Sequence, residues 1–299
     1  MVLVTGATGF IGSHLVNRLA ASSRVRCLVR PASFDKIKSN ASIEVMTQDL
    51  ASHGNFGQAL EGVQCIVHLA ALLRKKDPAE IQEVNVGGTL RLVEAARKYG
   101  VKRFIYVSTE NALRTDLKDS YAATKREAEK IVQSFPNYLI LRPCFVYGRG
   151  DHHGLGRLME LAQKSCVVPL FGGLKSKIQP IYIDDIVEIL IRAVQNNQQG
   201  QYVVAGPETI NLNEFVERAL KAQGLKRVLI PVPYFFYYLA ALLGDSFLRS
   251  SGWGMTQLKN IYQSQTYSIE ETIKAFDHKP RDLAAGFGSW FTSNAASNR

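Results

Sequence analysis

The eleven residues from Val2 to Gly12 constrain the fold of this chain more than any other stretch. A short apolar run, Val2-Leu3-Val4, reaches Thr5-Gly6-Ala7-Thr8-Gly9, and an amphipathic pattern of Phe10, Ile11, Leu15, Val16 and Leu19 begins at once. That order reads as a buried parallel strand, a glycine-rich turn and the first turns of a helix. Gly6 permits the tight turn, Gly9 lets a pyrophosphate approach the backbone, and Gly12 lets helix pack closely on strand. Exposed N–H groups and the positive helix end then face the phosphates. A glycine triplet alone also suits an ordinary strand-to-helix turn; the strand before it and the helix after it make dinucleotide binding the stronger reading.

Strand and helix patterns alternate through the next 130 or so residues. Strands are predicted at Val25–Val29, Ile43–Met46, Cys65–Ala70, Phe104–Val107 and Tyr138–Leu141. Helices are predicted at Ser33–Ser39, Phe56–Leu60, 79–98 and Ser120–Ser134. The long helix 79–98 rests on Ile81, Val84, Leu90, Val93 and Ala96 at helical spacing, with Gly100 as its stop. Such alternation with short connections is the signature of an α/β, Rossmann-like, doubly wound parallel sheet, with its ligand at the carboxyl ends of the strands.

The rhythm breaks after Gly148. A glycine-rich loop from Gly148 to Gly156 leads to a helix near Arg157–Lys164, an extended Ile178–Ile183 and a helix over 185–195 opened by Asp184-Asp185. Tyr202–Ala205 is placed to return to the main sheet. The expected division is therefore a Rossmann domain over 1–150, with 200–206 returning to its sheet, and a smaller C-terminal α/β substrate domain over 151–299.

Composition narrows the function classes. Apolar residues at 46% and charged residues at 21% describe a globular chain. A strand at residue 2 predicts no signal or transit peptide, and no apolar run approaches the ~20 residues of a membrane span. The longest, within 231–243, is read as a helix packed in the substrate domain. Cys27, Cys65, Cys144 and Cys166 lie far apart without metal-ligand spacing, which suits a reducing, cytoplasmic setting and no metal. A net charge of +10 favours anionic partners. Because the basic residues are dispersed, with no aromatic-basic array, a phosphate-rich small ligand explains the charge better than nucleic acid.

Tyr121-Ala-Ala-Thr-Lys125 carries the chemistry. Four-residue spacing sets both side chains on one helical face. A phenol titrates near 10, too high for a base at neutral pH, and a close ammonium lowers it by favouring phenolate. Thr109 ends the preceding strand, where its hydroxyl could share a proton with a substrate oxygen.

These features in this order resemble the extended short-chain dehydrogenase/reductase superfamily, in particular its NAD-dependent epimerase/dehydratase group. Gly6-x-x-Gly9-x-x-Gly12 resembles the family's cofactor loop, Asp49-Leu50 its adenine contact, and His68-Leu69-Ala70-Ala71 its strand-four motif. Asn85-Val86-Gly87-Gly88-Thr89, Ser108-Thr109, Arg142-Pro143 with Tyr147-Gly148, and Tyr182-Ile183-Asp184-Asp185 resemble further motifs in their expected sequence. By resemblance, Tyr121 is the acid/base, Lys125 holds the nicotinamide ribose and Thr109 binds the substrate hydroxyl. The implied cofactor contacts are Gly6, Thr8, Gly9, Phe10, Ile11, Gly12, Asp49, Leu50, Leu69, Ala70, Ala71, Asn85, Val107, Tyr121, Lys125 and Pro143. To these, Arg30 and Ser33 add a 2′-phosphate site, since Arg30 stands where NAD-preferring members carry an acid. NADP is thus favoured over NAD.

Departures narrow the reaction. Thr109-Glu110-Asn111 lacks the second carboxylate of family 4,6-dehydratases, which argues against elimination. Eleven residues separate Thr109 from Tyr121, a shorter loop than many sugar-nucleotide epimerases have. Where those carry an arginine, this chain reads Lys177-Ile178-Gln179. Glu110, Asn111, Cys144 and Lys177 are candidate substrate contacts. Arg74-Lys75-Lys76 and His152-His153 read either as ligand borders or as solvated loops, and His68 reads as structural. The leading expectation is hydride transfer at C4 of a nucleotide-linked sugar, as a 4-epimerase or 4-ketoreductase. The alternatives are a dehydrogenase of a sterol-like or other apolar alcohol, and a non-catalytic nucleotide-binding subunit resembling that of respiratory complex I. A homodimer is compatible with all three.

Overall fold

A computed structural model describes residues 1–52, 56–73, 77–116, 119–151, 155–171, 177–232 and 266–297. In chain order its strands are β1 (Val2–Thr5), β2 (Val25–Val29), β3 (Ile43–Thr47), β4 (Cys65–His68), β5 (Arg103–Val107), β6 (Tyr138–Pro143), β7 (Val146–Tyr147), β8 (Val167–Phe171), β9 (Lys177–Ile178), β10 (Ile181–Tyr182), β11 (Gly200–Val204), β12 (Ile210–Asn211) and β13 (Val228–Val232). The helices are α1 (Phe10–Leu19), α2 (Gly57–Leu60), α3 (Pro78–Gln82), α4 (Gly88–Lys98), α5 (Ser120–Gln133), α6 (Leu155–Lys164), α7 (Ile183–Gln195), α8 (Leu212–Ala222), α9 (Glu270–Phe276) and α10 (Leu283–Ser297).

Seven strands form one parallel sheet in the order β11-β6-β5-β4-β1-β2-β3. Strands β1, β2, β4 and β5 are buried along their whole length, as expected of a sheet covered by helices on both faces. One core gathers Leu3, Ile66, Phe104 and Ile140 from adjacent strands with Leu92 and Ala96 of α4 and Ala128 and Val132 of α5. Each large side chain buried there contributes about 1.5–3 kcal/mol. The chain winds outward from β1 to β3, then returns to lay β4 on the other side of β1. Thr5 and His68 stand in register at the carboxyl ends of that pair. This is the topological switch point, where open α/β sheets bind their ligands.

The chain divides into two compact units. The first is Met1–Pro143 with Ile186–Val204 and Glu270–His278, and it holds the whole seven-stranded sheet. The second is Cys144–Asp185 with Ala205–Ile269 and Lys279–Arg299. Within it, β7 and β10 pair in parallel, as do β8 and β13, while β9 and β12 run antiparallel. Tyr147 anchors this unit, with its ring 5.1 Å from Phe215 and 5.5 Å from both Tyr182 and Phe287.

Local structure departs from expectation in four places. The helix predicted over 79–98 is broken into α3 and α4 by a π-helical turn, Glu83–Gly87. Of the residues on which the expected helix rested, Ile81, Val93 and Ala96 are buried and Val84 is half-buried, but Leu90 is exposed and Leu92 takes the inward place, because the wider turn shifts the register of the apolar face. The helix predicted at Ser33–Ser39 is instead a 3-10 turn, Pro31–Lys36, started by a proline that fixes the first backbone angle. Ile178–Ile183 is not one extended run: β9 and β10 flank Gln179-Pro180, and Ile183 already begins α7. Finally, residues 231 and 232 close β13 rather than open a helix. The remainder of 231–243, Arg74-Lys75-Lys76 and His152-His153 lie outside the described residues.

Candidate active site

The glycine loop is shaped by sterics. Gly6 has a φ of +68°, which L side chains rarely adopt, and a Cβ there would lie 2.7 Å from the Ala70 nitrogen. At Gly12 a Cβ would come within 2.2 Å of the Gly6 carbonyl oxygen, so α1 can press against the turn only with glycine in that place. Gly9 caps α1 without a side-chain bond, and the first turn carries no acidic residue. The amides of that turn are therefore left to a ligand.

Two residues of β1 and β4 tie this loop to the rest of the sheet. Thr5 Oγ1 lies 2.6 Å from His68 Nδ1 and accepts from the Ala70 amide at 3.2 Å. His68 Nε2 lies 3.0 Å from Thr89 Oγ1, and Thr89 donates to the Asn85 carbonyl at 2.6 Å. Burial, with Lys125 nearby, pushes the His68 imidazole down to about 3, so it is neutral and purely structural in charge.

The reactive groups gather after β5. Thr109 is nearly buried and starts a 3-10 turn, Glu110–Leu113, where its Oγ1 accepts from the Asn111 amide at 3.3 Å. Beside it, Ser108 Oγ is buried, with no hydrogen-bond partner among the described residues. Asp119 caps α5 by accepting the Tyr121 amide at 3.1 Å, which fixes where the first turn presents the phenol. Arg126 bonds the carbonyls of Ala112 at 2.8 Å and Arg114 at 2.5 Å, holding the 3-10 turn against α5.

Charge at this site differs from the expectation. The Tyr121 phenol is raised, not lowered, by burial and by the carboxylates of Glu110 and Asp119. Lys125 donates from Nζ to the Val107 carbonyl at 2.6 Å and stands 4.0 Å from the centre of the Tyr106 ring. Burial brings Lys125 down to about 7, and Glu110 is pushed up to about 7 by the same cause. The phenol thus stays protonated at neutral pH, with the carboxyls of Glu110 and Asp119 as its charged neighbours.

Among the other sequence candidates, Asn85 has its amide committed within the protein. Oδ1 accepts from Leu72 N at 2.7 Å, while Nδ2 donates to Leu72 O and to Thr124 Oγ1, both at 3.0 Å. It shapes segment 70–73 instead of offering free donors. Leu50 is a core residue packed against Gly88, and Asp49 Oδ1 accepts from the Ala51 amide at 3.0 Å. Arg30 is exposed directly after β2, and Ser33 is buried, with its amide on the Arg30 carbonyl at 2.8 Å. Thr8, Phe10 and Ile11 border the glycine turn, Leu69-Ala70-Ala71 leave β4, and Pro143 ends β6. In the second unit, Cys144 is a buried thiol outside any disulfide, and Lys177 is an exposed residue of β9. Its neighbour Gln179 is buried, donating to the carbonyls of Gly206 and Tyr267 at 3.0 Å. Sequence reasoning gave no role to Asp119, Glu129 or Thr124; the Asp-Ser pair opening α5 was a readable capping signal for the first.

A Cβ-free cradle, an uncapped helix start and an orphaned hydroxyl at a switch point fit a nicotinamide dinucleotide. The fold and this residue set define a Rossmann-type oxidoreductase scaffold with a Tyr-x-x-x-Lys pair. Residues 2–211 match the model of the NAD dependent epimerase/dehydratase family. The chain belongs to that family, and so to the extended short-chain dehydrogenase/reductases, which are NAD(P)-dependent enzymes. It is 36% identical over 193 residues to a ceramide reductase of Caulobacter vibrioides, covering 64% of this chain and 60% of that protein. It therefore spans less than two thirds of that relative's length. A UDP-glucose 4-epimerase of Vibrio cholerae is 26% identical over 293 residues, 89% of each chain. The solved structure of MoeE5 in complex with UDP-glucuronic acid and NAD shares the fold, with a TM-score of 0.79, 23% identity and 99% coverage of both chains. No helix among the described residues is long and apolar enough to cross a membrane.

Proposed function

We propose that this chain interconverts a ketone and a secondary alcohol on an apolar, lipid-like substrate, with reduction as the favoured direction. The observation that carries the reading is the placement of Tyr121 in the first turn of α5, fixed by the Asp119 cap and held against the Glu110–Leu113 turn by Arg126, where a protonated phenol can serve as the acid. Gly6, Gly9 and Gly12 would hold the phosphates of a nicotinamide dinucleotide and Val107 and Lys125 would border its ribose, and the group would supply a hydride when bound. Thr109 orients the substrate oxygen, and Tyr121 gives it the proton from its phenol oxygen. Arg30 and Ser33 favour the 2′-phosphate, and hence NADP(H).

Substrate class rests on two points. The ceramide reductase shares 36% identity with this chain over 193 residues, against 26% for the UDP-glucose 4-epimerase. In addition, Gln179 has its amide bonded to backbone and lacks the charge that a nucleotide diphosphate attracts. A second reading, transfer at C4 of a nucleotide-linked sugar, is favoured by the alignment with the UDP-glucose 4-epimerase over 89% of both chains. The test follows NADPH and NADH absorbance with a long-chain 3-keto sphingoid base, a 3-keto steroid and a UDP-4-keto sugar, alongside NMR of UDP-glucose for epimerisation. Turnover of a lipid ketone alone supports the proposal. Turnover of the UDP-sugars alone transfers support to the second reading, and a chain that turns over none refutes both.

A further inference from the structure

Behind the reactive pair lies a charged group that the proposed reaction does not use. Glu129 follows Lys125 by four residues on α5, and both are buried. Arg142 on β6 grips Glu129 with two parallel bonds, Nε to Oε1 at 2.9 Å and an Nη to Oε2 at 2.7 Å, and also donates to Gln201 on β11. The side chains of Arg142 and Glu129 are 11% and 5% exposed, so this is an ion pair screened from water.

The surroundings of Lys125 explain why such a pair is needed. From β5 it meets the Tyr106 ring and the Val107 carbonyl; from β4 the neutral His68 lies near; on its own helix Glu129 follows one turn on. Among these, Glu129 is the one carboxylate. A carbonyl and a ring face supply partial charge only, and an ammonium in so dry a slot loses its proton readily. We propose that Glu129, oriented by the Arg142 fork, is the positioning residue that favours the ammonium form of Lys125. The fork matters because a buried carboxylate left alone would itself take up a proton. The significance of this for catalysis rests on the reading of Lys125 as part of the reactive set.

The test reads Lys125 directly in ligand-free protein, so it can fail without touching the hydride-transfer reading, and the reverse. Lysine labelled with 13C at Cε is titrated by NMR, with the Lys125 signal assigned from Lys125→Arg. Wild type should titrate near 7. Glu129→Gln should lower the midpoint by a pH unit or more, a tenfold loss in proton affinity. Glu129→Asp, which keeps the charge, should restore at least half of that displacement. Should Glu129→Gln fail to fold because Arg142 is left unpaired, Glu129→Gln/Arg142→Met removes the orphaned cation and must show a displacement of the same sign. A Lys125 midpoint unchanged in the folded variant, or in the double variant, overturns the proposal.

Discussion

Asn85 donates from Nδ2 to Thr124 Oγ1 at 3.0 Å, and the Thr124 hydroxyl in turn donates a hydrogen bond to the Tyr121 carbonyl at 2.9 Å. A residue of the π-helical turn thereby clamps the first turn of the helix that presents the phenol. Through Leu72 the same amide holds the segment leaving β4, which lies beside Gly6. The glycine loop and helix α5 are thus braced by one side chain. The wider π turn that interrupts 79–98 is where that side chain sits, in line with the tendency of π turns to mark functional sites.

Asn85→Ala should orphan the Leu72 amide and the Leu72 carbonyl together. Leaving buried polar groups unpaired costs about 1–3 kcal/mol, and urea unfolding of the variant should show a loss of that order. Turnover should fall further than cofactor affinity, because Tyr121 loses its support. A variant as stable as wild type would show that water replaces the amide.

How much of this was legible in the sequence depends on what a residue's neighbours are. The glycine loop could be read because backbone sterics at Gly6 and Gly12 are local, and the Tyr121–Lys125 spacing because it belongs to one helix. The charge state could not. Spacing alone implies an ammonium beside the phenol, yet Lys125 is drawn to the Val107 carbonyl and the Tyr106 ring, and the carboxylates of Glu110 and Asp119 are what act on Tyr121. Glu129 carries no signal in the sequence, because its partner Arg142 is brought against it only by β6. Asn85 reads as a ligand contact until the fold brings Leu72 and Thr124 to its amide.

Arg30→Asp should exchange the cofactor preference. Charge-assisted contacts to a 2′-phosphate contribute roughly 1.5–3 kcal/mol, about ten- to a hundredfold in affinity. Fluorescence titration of NADPH and NADH into both proteins checks it. Equal affinities in wild type would sink the assignment of Arg30.

His68 predicts an acid-sensitive fold. Its folded value near 3 lies below the 6.5 of a free imidazole, so between those values the unfolded chain binds more protons than the native one. Stability gained from the neutral ring is complete above about 6.5 and is lost as pH falls towards 3. Chemical denaturation across this window should show wild type taking up about one more proton on unfolding than His68→Gln. An identical pH slope in the two proteins would remove His68 as the source.

Tyr121→Phe is the most direct test of the chemistry. The substitution keeps the ring and its packing and removes the one proton that the proposed reaction moves. The Gly6–Gly12 cradle and the Lys125 bond to Val107 do not depend on the phenol oxygen, so dinucleotide affinity should stay within about twofold, less than 0.5 kcal/mol. Turnover should fall by roughly 10²–10⁴, the worth of one positioned acid. Glu110→Gln supplies the companion measurement. With its carboxyl pushed up to about 7, Glu110 is mostly protonated below neutrality and becomes anionic above it. Ionisation places a negative charge beside the Tyr121 phenol, holding its proton more firmly and opposing its release to substrate. Reduction by wild type should therefore decline as pH rises through 7, and Glu110→Gln should flatten that decline while Tyr121→Phe stays low at every pH. Full activity in Tyr121→Phe would assign the proton to another donor, and Ser108, buried with its hydroxyl unpartnered beside Thr109, would be the first to substitute.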